Sequence, residues 1–238
     1  MLKVENTEVY GWEAAIRGMR NPMNSWDKSD SKFEDVFEDT VNIADYWSKS
    51  FTAGENDLRL MKNLSKAGSD HGKFLRYINV TVDITAPLYW WKEFDTYKVG
   101  TVANSCSTMH KIHAKEFTLD DFSHDHLVRP SLSMLGKVIK QLNDWRDLYL
   151  HGDEIDPVIC EKPQTILEAY KMTKKDVWWQ MIQLLPSSYN QKRTVQLNYQ
   201  VLKTMYFARR NHKLDEWHTL CEWMESLPYF REICIVQE

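Results

Sequence analysis

The chain has 238 residues, a mass of 28.3 kDa and a formal net charge of −4, with 13% aromatic residues against 8 Gly and 7 Pro. Its length allows one large domain or two small ones with a sizeable core. The composition excludes a disordered chain and argues against a turn-rich all-β sandwich. The mild acidic balance calls for neither a nucleic-acid nor an anionic-membrane partner.

In chain order, residues 2–10 read as a strand, and Gly11 opens a short helix through Trp12, Ile16 and Met19. The first ten residues, MLKVENTEVY, lack the apolar core of a signal peptide. No apolar run approaches the roughly 20 residues of a membrane span. Residues 21–38 are polar, acidic and Ser-rich, which fits a loop or an excursion from the core. Residues 56–65 have helical spacing through Leu58, Leu60, Met61 and Leu64.

The clearest strand covers residues 74–84, with Phe74, Ile78, Val80, Val82 and Ile84 on one face and Tyr77, Asn79, Thr81 and Asp83 on the other. Thr85 then suits an N-cap and Pro87 a first helical turn. The helix that follows carries Tyr89, Trp90, Trp91 and Phe94. Neighbouring helical residues point about 100° apart, so Trp90 and Trp91 are expected not to share one core, and one of them should meet a partner subunit or a ligand.

Residues 130–149 carry the longest helical pattern, with Leu132, Leu135, Ile139, Leu142 and Trp145 or Leu148 on one side and His151-Gly152 at the end. Residues 161–185 hold one or two more helices, stopped by Pro186. Residues 193–198 read as a short strand, and residues 199–210 and 214–226 as a helix pair. No Pro/Gly/Ser linker divides the chain. The expectation is therefore a single α+β domain over residues 1–238, a mixed or antiparallel sheet flanked by helices.

Four cysteines (Cys106, Cys160, Cys221, Cys234) show no CxxC spacing, so the expectation is a reduced, soluble, cytoplasmic protein. His110 with His113, and His124 with His126 around Asp125, form at most weak metal motifs, and no metal site is expected. Cys106 sits in a small polar stretch, ANSCST; a nucleophilic thiol there requires a nearby base or cation, and an unreactive thiol is the alternative.

The C-terminal half offers a sharper pattern. If a helix starts near Asn198, Arg209 lies 11 residues on, within about 20° of Asn198 and roughly 16 Å along the axis. Leu202, Met205 and Tyr206 fall on the same stripe. Arginine recognises phosphate or carboxylate through a planar fork of donors. The alternative is an arginine paired with a nearby acid such as Asp215.

Two segments resemble flavin-dependent thymidylate synthases. In that family a strand ends in Ala-Pro, a helix follows, and then comes the signature R-H-R-x7-S. Here Ala86-Pro87 stands in that place, and Thr96-Tyr97-Lys98, seven residues and Cys106 stand at the signature spacing. The second segment is Leu185-Pro186, a short strand ending in Asn198, and Arg209 eleven residues later. The resemblance covers about a third of the chain. It implies methylation of C5 of dUMP with methylenetetrahydrofolate, FAD reduced by NADPH, and a homotetramer with no metal, nucleic acid or membrane partner.

By the same resemblance, Thr96, Tyr97, Lys98 and Asn198 take cofactor-binding positions. Glu93, Asn104, Ser105, Cys106, Thr108 and Arg209 take substrate positions, with Arg209 facing the pyrimidine and Cys106 beside it. Ile182 and Gln183 stand where the family has a phosphate-reaching arginine. Arg76, Lys111, Lys192 and Arg193 are the cations that could stand in for the missing ones. The alternatives are a flavoenzyme placing another C5 group such as hydroxymethyl, a non-catalytic nucleotide-binding protein on the same fold, and, more remotely, a metal-dependent hydrolase built on the histidines.

Overall fold

The computed structural model describes residues 1–35, 49–154 and 165–236. Cys160, residues 36–38 of the polar stretch and the start of the 161–185 helical region lie outside them. The elements in order are β1 (Lys3–Tyr10), α1 (Trp12–Arg20), β2 (Lys32–Asp35), β3 (Lys49–Thr52), α2 (Glu55–Lys66), β4 (Asn79–Pro87), α3 (Leu88–Phe94) and β5 (Val102–Ser105). They continue with α4 (Thr108–Lys111), α5 (Arg129–His151), α6 (Ile166–Ala169), α7 (Lys174–Leu184), β6 (Asn190–Asn198), α8 (Tyr199–Arg209), α9 (Asp215–Ser226) and α10 (Phe230–Cys234). One four-stranded sheet has the order β1-β4-β6-β5, and β2 pairs antiparallel with β3. No helix among the described residues is long and apolar enough to cross a membrane. This is the α+β class expected from the sequence.

The chain forms two compact units. The first comprises Met1–Lys3, Thr85–Asp95 and Asn104–Arg193; the second comprises Val4–Ile84, Thr96–Ala103 and Thr194–Glu238.

In the second unit, α1 buries Trp12, Ala15, Ile16 and Met19, the i, i+3, i+4, i+7 stripe of an amphipathic helix. Gly11 holds φ +97°, and a Cβ there would sit 2.0 Å from the Tyr77 carbonyl oxygen, so only glycine fits. The strand expected from Phe74 begins later. Residues Gly72–Arg76 form a 3-10 turn in which Phe74 and Leu75 are both buried, a pattern that a strand with one buried face does not give. From Asn79 the alternation holds, with Val80, Val82 and Ile84 buried.

The polar stretch after α1 contains two 3-10 turns and β2. It is anchored by a buried ion pair: Arg20, 4% exposed, meets Asp57, 0% exposed, at 2.7 Å. Ser29 and Ser31 donate to the second Asp57 oxygen at 2.7 Å each. Burial alone would raise the Asp57 pKa, but these hydroxyls and the Arg20 guanidinium hold it below the ordinary value. Phe51 of β3 stacks on Trp12 at 4.5 Å. The helix pair α8 and α9 forms as expected, and the unanticipated α10 adds Phe230 and Ile233 to the core.

In the first unit, α5 and α7 pack around Leu135, Leu142, Met181, Phe117 and Phe122. Threonine capping boxes start α6 (Thr165 with Glu168) and α7 (Thr173 with Asp176). The helix after Pro87 departs from expectation in two ways. Thr85 does not cap it. The strand continues through Pro87, and the first helical N–H groups, of Leu88 and Tyr89, donate to the Tyr189 and Ser187 carbonyls at 3.0 Å each. Trp90 and Trp91 are both buried, at 0% and 1% exposure. Trp91 turns aside to donate Nε1–H to the Gln191 carbonyl at 2.9 Å, and Trp90 packs on Phe94 at 5.1 Å. A seven-residue helix lined on two sides therefore accommodates both rings.

Candidate functional site

Each unit carries a cavity with some of the expected site residues. In the second unit the cavity is about 500 Å³, and its lining includes Arg76, Thr96, Tyr97, Gly100, Asn198 and Thr204. Two local features build it. Asn198 ends β6 and caps α8, its Oδ1 accepting from the Val201 N–H at 3.1 Å. Gly100, at φ +77°, lets the 96–101 loop close on that helix start: a Cβ there would lie 3.1 Å from Val201 Cγ2 and 3.3 Å from Asn198 Nδ2. Lys98 belongs to the same loop but is exposed and outside the lining.

Arg209 closes α8 at its other end. Its Nε donates to the Tyr97 hydroxyl at 2.9 Å, and its guanidinium lies 4.7 Å from the Trp217 ring centre. Tyr97 therefore has two duties, lining the cavity and holding Arg209. Trp217 meets Tyr97 edge-to-face at 6.1 Å and is fully buried. Sequence reading missed Trp217, because it lies on α9 and only the helix pairing brings it to Arg209.

In the first unit a cavity of about 470 Å³ holds Cys106, Thr108, Lys111, Lys115, Tyr189 and Lys192 along its lining. Backbone bonds fix its rim: the Cys106 N–H donates to the Lys192 carbonyl at 2.9 Å, and Gln191 Nε2 donates to the Cys106 carbonyl at 3.0 Å. Ser107 caps α4, accepting from the His110 N–H at 3.1 Å. The Cys106 thiol is exposed. Lys115 pairs with Asp121, and that hydrogen bond raises the lysine pKa; burial raises that of Tyr189.

Asn104 and Ser105, exposed on β5, and Glu93, half-buried on α3, do not line this cavity. Of the four candidate replacement cations, Arg76 lines one cavity and Lys111 and Lys192 the other. Arg193 is engaged elsewhere, 2.8 Å from Asp95 and 4.2 Å over the Trp91 ring. Among the described residues no group of three or more His, Cys, Asp or Glu is placed to hold a metal ion.

No protein-family model and no curated protein sequence matches the chain. Solved structures do. Flavin-dependent thymidylate synthase ThyX from Helicobacter pylori, complexed with FAD and dUMP, aligns at TM-score 0.59 and 14% identity over 98% of this chain and 97% of that one. A second structure of that enzyme with FAD and dUMP, at 2.31 Å resolution, aligns at TM-score 0.61 and 13% identity over 100% of both chains.

The fold is that of flavin-dependent thymidylate synthase. At this identity the likeness concerns the fold. The chain's own side chains at the thymidylate-synthase-like signature positions are Thr96, Tyr97, Lys98 and Cys106.

Proposed function

We propose that the protein is a flavin-dependent enzyme acting at C5 of a pyrimidine nucleotide, methylating dUMP with methylenetetrahydrofolate, FAD and NADPH as a cytoplasmic homotetramer. One observation carries this reading: the chain aligns over its whole length with an enzyme solved with FAD and dUMP. The gathering of Thr96, Tyr97 and Asn198 on one cavity supports it. Residues 1–238 are taken as a single functional domain.

The second unit's cavity fits FAD in kind. It offers the Tyr97 ring for stacking, the Arg76 guanidinium for phosphate, the Thr96 and Thr204 hydroxyls, and a close backbone approach at Gly100. FAD would supply hydride chemistry there. The protein's part is orientation and electrostatics. Arg209, held by Tyr97 and Trp217, would be the pyrimidine-facing cation of the second unit, with Lys98 steering anions from the loop; Glu93, Asn104, Ser105 and Thr108 keep their substrate roles on the resemblance alone. In the first unit's own cavity Lys111 and Lys192 would attract an anionic group.

Cys106 is assigned the role of nucleophile toward C6. Its thiolate would form the S–C6 bond while the C5–C6 π electrons move onto the C4 carbonyl oxygen, and C5 of that enolate would then bond to the methylene carbon of methylenetetrahydrofolate as one of its C–N bonds breaks. Loss of the C5 proton would expel the folate amine to leave an exocyclic methylene, and a hydride, which reduced FAD would supply, would add to that methylene as the thiolate leaves C6. Unchanged turnover in Cys106→Ala would remove that role.

A second reading, another C5 group such as hydroxymethyl, is favoured by one feature: Arg209 is held by a tyrosine at the signature position that the family fills with histidine. Incubating the protein with dUMP, methylenetetrahydrofolate, FAD and NADPH and weighing the product by mass spectrometry tests both. A gain of a methylene unit supports the first reading, and an added hydroxymethyl group supports the second. Unchanged dUMP at full flavin loading contradicts both.

A further inference from the structure

The second unit contains a larger cavity that none of the expected site residues touches. It measures about 780 Å³ and lies among the end of α2, the outer face of α8 and residues 235–236. Its polar lining among the described residues is Ser65, Lys66, Lys203 and Arg210, with no carboxylate among those described. In a chain with more acids than bases this is an unusual concentration of one sign.

Lys203 is the built part of the site. It is half-buried on α8, and its ammonium donates to the Ser65 carbonyl at 2.9 Å and the Ser65 hydroxyl at 2.7 Å. Ser65 is itself buried, at 4% exposure. An ammonium has three donors, so one N–H remains after these two bonds. Both partners are neutral, and among the described residues Lys203 has no carboxylate partner. Burial lowers its pKa, as expected for a cation taken from water without a matching anion. Lys66 and Arg210 likewise have no carboxylate partner among the described residues. Arg210 lies 5.1 Å over the Phe207 ring, and that ring, on the same lining, is 44% exposed.

The neutral explanation is that Lys203 serves the C-terminal end of α2, where a cation suits the helix dipole. That accounts for one lysine. It does not account for Lys66, Arg210, the volume or the exposed ring. Lysine and arginine together suit a phosphoryl group, with the ammonium as a point charge and the guanidinium as a fork. A volume of this size takes a ligand of mononucleotide dimensions.

We propose that the cavity between α2 and α8 binds a phosphorylated small molecule, its phosphoryl group among Lys66, Lys203 and Arg210 and its ring on Phe207, Ile235 and Val236. This site is separate from the Tyr97 and Cys106 cavities and does not depend on the flavin reading.

The test is calorimetric titration of the flavin-free protein with AMP and, separately, with inorganic phosphate. Saturable binding of AMP is expected, with inorganic phosphate binding more weakly because it lacks the ring. Lys203→Met and the double variant Lys66→Gln/Arg210→Gln should each weaken AMP at least tenfold, while raising salt weakens the wild type. If Lys203→Met fails to fold, the double variant decides, since both of its residues are exposed. Absence of AMP binding, or AMP affinity unchanged in the double variant, overturns the proposal. Titration with FAD is a separate measurement, so failure here and failure of the flavin reading are distinguishable.

Discussion

The two units differ in how deeply they bury their ion pairs. The second unit puts them inside. Arg20 and Asp57 form a buried pair, Asn198 caps a helix start within the lining of a cavity, and Arg209 lies between Tyr97 and Trp217. The first unit sets its ion pairs nearer the surface: Lys140 and Asp144 are 77% and 49% exposed, Asp95, the partner of Arg193, is 47% exposed, and Lys111 and Lys192 line the Cys106 cavity. Interior polar groups are held in one geometry and are costly to disturb. Exposed ones contribute little to stability and remain adjustable toward a ligand. The second unit therefore has the marks of a pre-shaped site, and the first those of an electrostatic one.

The most severe way to break this contrast is Asp57→Asn, which strands the buried Arg20. It should cost about 3–5 kcal/mol in denaturant unfolding. The pH dependence follows with a definite sign. The folded-state pKa of Asp57 is lowered, so its contribution is complete above the ordinary carboxylate value of about 4. It disappears as pH falls through the folded-state value. Unfolding free energy should therefore fall on acidification, and Asp57→Asn should flatten that fall.

Next in size, Tyr97→Phe keeps the ring and removes one acceptor of Arg209. A loss of about 1.5 kcal/mol in stability is expected, the low end for a bond to a charged group. If Arg209 faces the nucleotide, kcat should drop more than KM rises. Asn198→Ala removes the α8 cap and should cost about 1 kcal/mol. Lys111→Gln, in the other unit, should change stability by no more than about 0.5 kcal/mol while weakening dUMP binding about tenfold. A large stability loss there, or none at Asp57, would erase the contrast.

Much of the fold was legible because helix and strand periods are local. The α1, α2, α5, α8 and α9 helices follow patterns visible in the sequence, whereas the threonine capping boxes of α6 and α7 emerge only in the structure. What failed was context. Phe74 looked like the start of a strand because Phe74, Ile78 and Val80 share a period-two face, yet the adjacent Leu75 needed burial too, and a 3-10 turn met both demands. Thr85 looked like a cap, but carbonyls a hundred residues away supply the acceptors. The tryptophan pair seemed to require a partner, and neighbouring elements covered both rings.

Site reading divided along the same line. The Asn198–Arg209 spacing is a helix property, and both residues stand at the ends of α8 as the spacing implies. Their partners Tyr97, Trp217 and Gly100 come from another loop and another helix, which no spacing rule reaches. Glu93, Asn104 and Ser105 rested on resemblance alone, and the structure leaves them outside both cavities described for the expected site.

The central claim is that this chain has kept a flavin on a flavin-dependent thymidylate synthase fold despite an altered signature. The most direct measurement is the absorption spectrum of the purified protein before and after titration with FAD. The account expects a bound-flavin band near about 450 nm that perturbs on binding and weakens in Tyr97→Ala. A colourless protein that leaves added FAD unperturbed and freely dialysable would contradict it.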